Sequence, residues 1–283
     1  MTALAHRMIG EPRIVDVAGL RWSVRAAGSG PALLLLHGFT GSGRSWEGGL
    51  AEAAIDSGFR VLAPDLPGHG GTAWSAARAT VERTADDVAA LLRALGHERA
   101  HVVGYSMGAR VALRLAIARP ASVARLVLEA PSAGIADPAQ RLARRDADEA
   151  LALGLERDGI APFVDAWERM PVLAGEARVG GGARHSLRAI RLGHDPAGLA
   201  ASLRAAGQGA MEPLHDRLGE ISAPTLVIVG ANDAARGRAE AVAAGISGAR
   251  LAIVPEAGHA PHLEAPAAFI RLVLDFVSEE HVA

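Results

Sequence analysis

The sequence GYSMG at residues 104–108 is the strongest indication of the fold, because it places a serine between a predicted strand and a predicted helix. Residues 100–104 form a short apolar run, and residues 107–118 carry apolar side chains at helical spacing. In such a strand–turn–helix, Gly104 and Gly108 leave room for a sharp turn that exposes the Ser106 hydroxyl. The pattern therefore predicts a nucleophilic serine just beyond a buried strand.

Outward from this turn, short apolar runs alternate with longer helical patterns, which is typical of a mostly parallel sheet flanked by helices. The predicted strands are residues 13–17, 21–26, 32–36, 60–63, 100–104, 124–129, 225–229 and 251–254. The predicted helices are residues 46–57, 81–95, 107–118 and 266–277. The first two strands are predicted to form a hairpin that turns at residues 18–19.

The stretch from about residue 134 to residue 220 interrupts the alternation. It has no convincing strand pattern, and its several short helical patterns are broken by Pro and by the glycine run at 180–182. We interpret it as a helical cap inserted into an α/β core made of residues 1–133 and 221–283. The cap and the core are expected to form one structural unit.

Length and charge define the class of protein. The 283 residues suffice for one large α/β domain with an insertion, and the net charge of -2 argues against a nucleic-acid surface over the whole chain. No stretch is long and apolar enough to insert into a membrane, and residues 1–12 lack the apolar segment of a signal peptide. We therefore expect a cytoplasmic protein with a small-molecule partner, and the sequence leaves the oligomeric state open.

The chain contains neither cysteine nor lysine, since all 29 basic residues are arginines. Thiolate nucleophiles, iron–sulfur clusters and Cys-ligated zinc are thereby excluded, as are the Walker A lysine and the pyridoxal-phosphate lysine. His259 and His262 lie close together, but no metal-binding motif accompanies them. We expect neither a metal nor a cofactor.

A serine nucleophile needs a base and an acid that orients the base. His259 follows the last predicted strand, and Asp233 follows the predicted strand at 225–229. The chain order Ser106, Asp233, His259 is the order of the α/β-hydrolase fold. These residues are the predicted catalytic triad.

An oxyanion hole of backbone N–H groups should accompany the triad. One N–H belongs to Met107, directly after the serine, and we assign the other to Phe39 in the loop after the strand at 32–36.

Arg110 is four residues after Ser106 and therefore shares its face of the predicted helix. A buried arginine needs an anion, because an unpaired buried charge is costly. That anion is either a ligand or a core carboxylate such as Glu129. Tyr105, the only tyrosine, either lines the pocket or is packed in the core.

The chain resembles the α/β-hydrolase superfamily along essentially its whole length. Within it, LHGFTGS at 36–42, GYSMGAR at 104–110 and FVDAWERMP at 163–171 resemble 2-succinyl-6-hydroxy-2,4-cyclohexadiene-1-carboxylate synthase of menaquinone biosynthesis. The runs RRDAD at 144–148 and ASLRAAGQG at 201–209 are similar to the same family.

This resemblance implies a cofactor-independent lyase that eliminates pyruvate from 2-succinyl-5-enolpyruvyl-6-hydroxy-3-cyclohexene-1-carboxylate. The triad then acts as a general base, and no acyl-enzyme forms. Such a polycarboxylate substrate needs arginines in the pocket. The resemblance implies that Arg110, Arg144 or Arg145, and Arg191 bind it and that Trp167 packs on it.

Two other functions fit the same motifs. A carboxylic-ester or carbon–carbon bond hydrolase would use Ser106 as an acyl nucleophile. A pocket for neutral esters, however, has no use for several arginines. A ligand-binding protein on the same scaffold would have no need for an intact triad.

Overall fold

The computed structural model describes residues 9–279, and the prediction about a signal peptide falls largely on residues 1–8, outside this range. The strands are β1 Arg13–Val17, β2 Leu20–Ala27, β3 Ala32–Leu36, β4 Arg60–Pro64, β5 Ala100–Tyr105, β6 Val123–Glu129, β7 Thr225–Gly230 and β8 Arg250–Val254. The helices are α1 Leu50–Asp56, α2 Val81–Ala94, α3 Met107–Ala118, α4 Pro138–Asp158, α5 Ile160–Trp167, α6 Gly181–Leu192, α7 Pro196–Ala206, α8 Arg236–Gly245, α9 Pro261–Glu264 and α10 Pro266–Ser278.

The strands form one sheet in the order β1-β2-β4-β3-β5-β6-β7-β8. The β1–β2 and β2–β4 pairs are antiparallel. All other pairs are parallel, namely β3–β4, β3–β5, β5–β6, β6–β7 and β7–β8. Because β3 lies between β4 and β5, the winding direction reverses at the β3–β5 pair, and a crevice opens beyond the carboxyl ends of these strands. The predicted α/β-hydrolase sheet and its opening hairpin are confirmed.

Strand β3 shows why strands of this sheet appear in the sequence as uninterrupted apolar runs. Its leucines alternate in direction: Leu34 and Leu36 join the core under α2 and α3, whereas Leu33 and Leu35 join the core under α1 and α10. All four are at most 1% exposed, because helices cover both faces. Packing on both faces holds the central strands in place, and this fixes the starting points of the loops that follow them.

The chain between β6 and β7 forms four helices, α4 to α7. They share a small apolar cluster of their own, which includes Leu155, Val164 and Leu199. Phe39, in the loop after β3, packs against both this cluster and the main core. The inserted helices therefore rest directly on the loop that follows β3.

Three local predictions are wrong. Residues 46–57 are not one helix, because Gly48 adopts a φ of +75° between a 3-10 turn at Gly43–Trp46 and the start of α1. The inserted segment is not made only of short helices, since α4 has 21 residues and begins at the cap residue Asp137. The glycine run at 180–182 interrupts the helices only at its first residue, because α6 begins at Gly181, after a 3-10 helix that ends at Arg178. Within residues 9–279, no helix is long and apolar enough to cross a membrane.

Candidate active site

Ser106 occupies the turn between β5 and α3 and has a φ of +49°, which a residue with a side chain rarely adopts. The flanking glycines make the turn possible. A Cβ on Gly104 would lie 2.6 Å from the Gly108 carbonyl oxygen, and one on Gly108 would lie 2.1 Å from the Leu36 carbonyl oxygen. The strained turn points Ser106 into the crevice, and α3 begins at the next residue.

The three residues of the predicted triad lie together. His259, in the loop between β8 and α9, has its Nε2 atom 3.1 Å from the Ser106 Oγ atom. Its Nδ1 atom is 2.9 Å from the Asp233 Oδ2 atom, so the Nδ1–H donates to Asp233 and Nε2 accepts from the serine. Burial opposes ionisation of Asp233, but the hydrogen bond from His259, aided by the Ala235 N–H, lowers the pKa of Asp233 overall. This geometry suits a general base.

Two carboxylates hold the histidine loop in a way that the sequence did not predict: Glu129, which the sequence offered only as a partner for Arg110, and Glu264. Glu129, fully buried at the end of β6, accepts hydrogen bonds from the backbone N–H of His262 at 2.8 Å and from its ring at 2.9 Å. Glu264 accepts from the N–H groups of Gly258 and Ala260, on either side of His259. Because Glu129 is bonded to His262, it is not the partner of Arg110, and that interpretation is wrong.

The predicted oxyanion hole consists of the backbone N–H of Phe39, in the loop of residues 37–42 after β3, and that of Met107. Neither the Phe39 N–H nor the Met107 N–H donates a hydrogen bond to any described residue. Met107 begins the 12-residue helix α3, whose amino-terminal end is favourable for negative charge. Both amides flank Ser106 and are free to bind an anion.

A cluster of buried histidines fixes this loop. His37 accepts a hydrogen bond from the Leu66 N–H at 2.9 Å and bonds to the Gly38 carbonyl at 2.8 Å. His194, from the segment between α6 and α7, is 2.9 Å from the Thr40 carbonyl. Burial lowers the pKa of His37 to about 4, so this ring is neutral near pH 7. No pattern in the sequence links His194 to a loop 154 residues earlier.

A cavity of about 500 Å³ lies over Ser106, between the sheet and the inserted helices. Most of the predicted site residues line it, namely Phe39, Tyr105, Ser106, Met107, Arg110, Arg144, Trp167, Arg191 and His259. Asp233 lies behind His259, and Arg145 is absent from the lining. Of the two arginines that the sequence left open, only Arg144 faces the cavity.

Arg110 is 6% exposed and is a buried cation that lines this cavity. Its Nη2 atom donates to the Ala206 carbonyl at 2.8 Å, but its buried Nε atom has no partner among the described residues. Burial, with the nearby charge of Arg144, lowers the pKa of Arg110 to about 10, and the side chain is therefore still a cation near pH 7. The site thus holds a desolvated cation without a bonded carboxylate.

Arg191 differs from Arg110, because its charge is already neutralised. Its Nη2 atom is 2.8 and 2.7 Å from the two carboxylate oxygens of Glu176, and its Nη1 atom is 3.2 Å from Glu168. The structure places Arg191 in the cavity wall as half of an ion pair. Three of its five N–H donors are therefore taken by these two carboxylates.

Aromatic side chains form part of the wall, beside aliphatic ones such as Leu151 and Leu203. Trp167 stacks on Phe163 with ring centroids 5.6 Å apart and meets Phe39 edge-on at 5.2 Å. Tyr105 packs 4.6 Å from the His262 ring, and burial raises the pKa of its hydroxyl well above the usual value. Tyr105 is thus both packed and part of the lining.

Comparison with known proteins gives the family of the chain. The model of an alpha/beta hydrolase family matches residues 33–272, and the chain belongs to this family. The chain is 32% identical over 252 residues to 2-succinyl-6-hydroxy-2,4-cyclohexadiene-1-carboxylate synthase of Serratia proteamaculans, covering 87% of this chain and 93% of the relative.

Two solved structures are similar over nearly the whole chain. MenH from S. aureus is 31% identical with a TM-score of 0.85, over 90% of this chain and 97% of that one. The enol-lactonase of Burkholderia xenovorans LB400 is 26% identical with a TM-score of 0.81, over 94% of this chain and all of that one.

Proposed function

We propose that this protein is a lyase that eliminates pyruvate from 2-succinyl-5-enolpyruvyl-6-hydroxy-3-cyclohexene-1-carboxylate. The product is 2-succinyl-6-hydroxy-2,4-cyclohexadiene-1-carboxylate, the compound named in the synthase relative. The observation that carries the proposal is Arg110, a buried cation without a bonded carboxylate in the same cavity as Ser106 and His259. A polycarboxylate substrate supplies the missing anion.

The elimination begins at the ring carbon that bears the succinyl group, because its proton is acidified by the neighbouring carbonyl. The Ser106–His259 pair removes this proton, and His259 becomes an imidazolium that Asp233 stabilises. The electron pair forms a ring double bond, the existing double bond shifts, and the C–O bond to the enolpyruvyl group breaks. The leaving group departs as pyruvate enolate, which then takes up a proton.

Negative charge develops on the succinyl carbonyl oxygen as the proton leaves. We assign its stabilisation to the unpaired N–H groups of Phe39 and Met107. His37 and His194 keep the loop of Phe39 in place through their hydrogen bonds to its backbone. In this reaction Ser106 carries a proton and forms no bond to the substrate.

The remaining pocket residues bind and orient the substrate. Arg110 and Arg144 are the proposed carboxylate ligands, while Trp167 and Tyr105 supply flat apolar surface for the ring. Arg191 is proposed to support the wall through its ion pair with Glu176 and to contact the substrate from there.

The inserted helices α4 to α7 are proposed to work as a cap. Residues 134–220 would form it, and residues 1–133 and 221–283 would form the core, with both parts folding as one unit. Support comes from Phe39, which packs against both parts, and from His194, which holds the loop after β3. The cap would exclude water from the developing anion.

The proposed partner is this small molecule, without nucleic acid, and the proposed location is the cytoplasm. Fractionation of the host followed by immunoblotting tests the location. Recovery of the protein outside the cytoplasmic fraction would contradict it.

A serine hydrolase is the second candidate function. The Ser106–His259 distance of 3.1 Å suits nucleophilic attack as well as proton transfer, and the enol-lactonase structure is similar along the chain. In that case Ser106 would form an acyl-enzyme, and the arginines would select an acidic ester.

The test compares pyruvate release from the enolpyruvyl substrate with hydrolysis of p-nitrophenyl acetate. The lyase proposal predicts fast pyruvate release and negligible ester turnover. Fast ester turnover without pyruvate would overturn it in favour of the hydrolase.

A further inference from the structure

Arg238 is a cavity residue that no sequence motif indicated. It lies in the first turn of α8, five residues after Asp233, and its side chain lines the cavity at the same end as Arg110. Its Nη1 atom donates to the Gln208 Oε1 atom at 2.9 Å. The core side of the cavity therefore contributes a second arginine, from a different helix than Arg110.

Gln208 is a shared acceptor for two arginines. Its Oε1 atom also lies 3.4 Å from the Arg144 Nη1 atom, so guanidinium groups from α4 and α8 converge on one neutral oxygen. Arg110 donates to the Ala206 carbonyl, two residues before Gln208. Three arginines thus donate to the end of α7 and the residues directly after it.

The charges at this end of the cavity do not balance. One nearby carboxylate is Asp148, and its Oδ1 atom is already bonded to the Arg144 Nε atom at 2.9 Å. The charges of Arg144 and Arg238 both oppose protonation of buried Arg110, which its lowered pKa reflects. Asp233 is the other carboxylate near Arg238, but it is bonded to His259. Three cations thus face two carboxylates that already have partners, so an added anion is favourable.

We propose that Arg238 is a further substrate-binding residue, which together with Arg144 holds one substrate carboxylate in place of the Gln208 amide oxygen. A carboxylate offers two charged oxygens to two guanidinium groups, whereas the amide offers one neutral oxygen. Arg110 is then left to hold a different carboxylate. The proposal rests on the proposed polycarboxylate substrate and adds the residue that distinguishes a dicarboxylate from a monocarboxylate.

The test measures binding by calorimetry, so that it does not depend on turnover. The probe is 2-succinylbenzoate, an aromatic compound with the ring carboxylate and the succinyl arm of the proposed product. The two single-carboxylate probes are 4-oxo-4-phenylbutanoate, which lacks the ring carboxylate, and 2-butanoylbenzoate, which lacks the carboxylate of the arm.

Arg238→Gln should weaken binding of 2-succinylbenzoate about 10- to 100-fold, as expected for loss of a charged hydrogen bond. One single-carboxylate probe should lose the same factor, and the other should bind to the variant as to the wild type. Gln208→Glu should weaken 2-succinylbenzoate at least about tenfold, because its carboxylate occupies the place of the ligand. Arg236→Gln is the matched control, since Arg236 is paired with Glu240 and does not line the cavity.

The proposal would be overturned if Arg238→Gln bound 2-succinylbenzoate as tightly as the wild type does, or if it lost the same affinity for both single-carboxylate probes. Failure of the wild type to bind any probe would also overturn it. Pyruvate release is scored separately. Probe binding that depends on Arg238, without pyruvate release, would leave this inference standing and remove the lyase function. Pyruvate release together with probe binding that does not depend on Arg238 would support the lyase function and overturn this inference.

Discussion

The two ends of the cavity differ in how well their polar side chains are hydrogen-bonded within the protein. At the triad end, Ser106, His259 and Asp233 are joined by hydrogen bonds of 3.1 and 2.9 Å. At the arginine end, Arg110 keeps a buried Nε atom without a partner, and the Gln208 oxygen is shared by two arginines. The triad side chains are thus hydrogen-bonded to one another without a ligand, whereas the arginine end has an excess of positive charge.

Removing the triad serine should have the largest effect. Ser106→Ala is expected to lower kcat for pyruvate release by at least about 10³-fold, because loss of any member disables the set. Binding of 2-succinylbenzoate should change by less than about threefold, because the arginine end is untouched. Steady-state kinetics and calorimetry check both values, and full activity in this variant would remove Ser106 from the mechanism.

Replacement of the buried cation Arg110 should weaken ligand binding without lowering the stability of the fold. Arg110→Met is expected to weaken 2-succinylbenzoate about 10- to 100-fold, because a charged hydrogen-bonding group is lost. Its Tm should be equal to or above that of the wild type, because a desolvated cation without a bonded carboxylate costs free energy. Calorimetry and a melting curve test this. Unchanged affinity with a lower Tm would instead make Arg110 a structural residue.

Acid should act on the triad end through the histidines that hold the loop after β3. Burial lowers the pKa of His37 from 6.5 to about 4, so the folded protein keeps this ring neutral while the unfolded chain takes up a proton. The resulting stability is present above pH 6.5 and is lost as the pH falls towards 4. Tm and kcat should both decline over this range.

The control for the acid effect is His101→Gln. Burial also lowers the pKa of His101 to about 4, but this residue lies at the start of β5, away from the cavity. The variant should lose part of the acid dependence of Tm and keep the acid dependence of kcat. A kcat that no longer responds to acid would contradict the role given to His37.

Replacement of an arginine that is paired at the surface should have the smallest effect on stability and activity, in contrast to replacement of Arg110. Arg204, on α7, bonds to Glu149 and Glu156 at the surface. Arg204→Gln is expected to change the free energy of unfolding by less than about 1 kcal/mol, because solvent screens exposed ion pairs. Urea unfolding measures this value, and kcat should be unchanged. A large loss of activity would show that the inserted helices depend on this ion pair.

The sequence predicted the features that depend on local pattern. The turn at residues 104–108 and its flanking glycines are short-range, and β3 is apolar on both faces, so each carries its own signal. Asp233 and His259 could be found because each follows a strand in the expected chain order. The strands were predicted to within about two residues.

Features that depend on packing between distant segments were not predictable. Whether Arg144 or Arg145 faces the cavity depends on the rotation of α4, which its contacts with α7 set. The ion pair of Arg191 with Glu176 joins two parts of the inserted segment that have no shared pattern. Arg238 was missed because nothing local shows that the first turn of α8 points towards Gln208.

The central claim is that Ser106 transfers a proton and forms no covalent bond to the substrate. A single-turnover experiment tests it most directly, with enzyme in excess over the enolpyruvyl substrate, rapid quenching, and measurement of both pyruvate and intact protein mass. We predict one pyruvate per substrate and an unchanged protein mass at every time point. A transient mass increase that is absent from Ser106→Ala would contradict the claim and make the protein an acyl-transfer hydrolase.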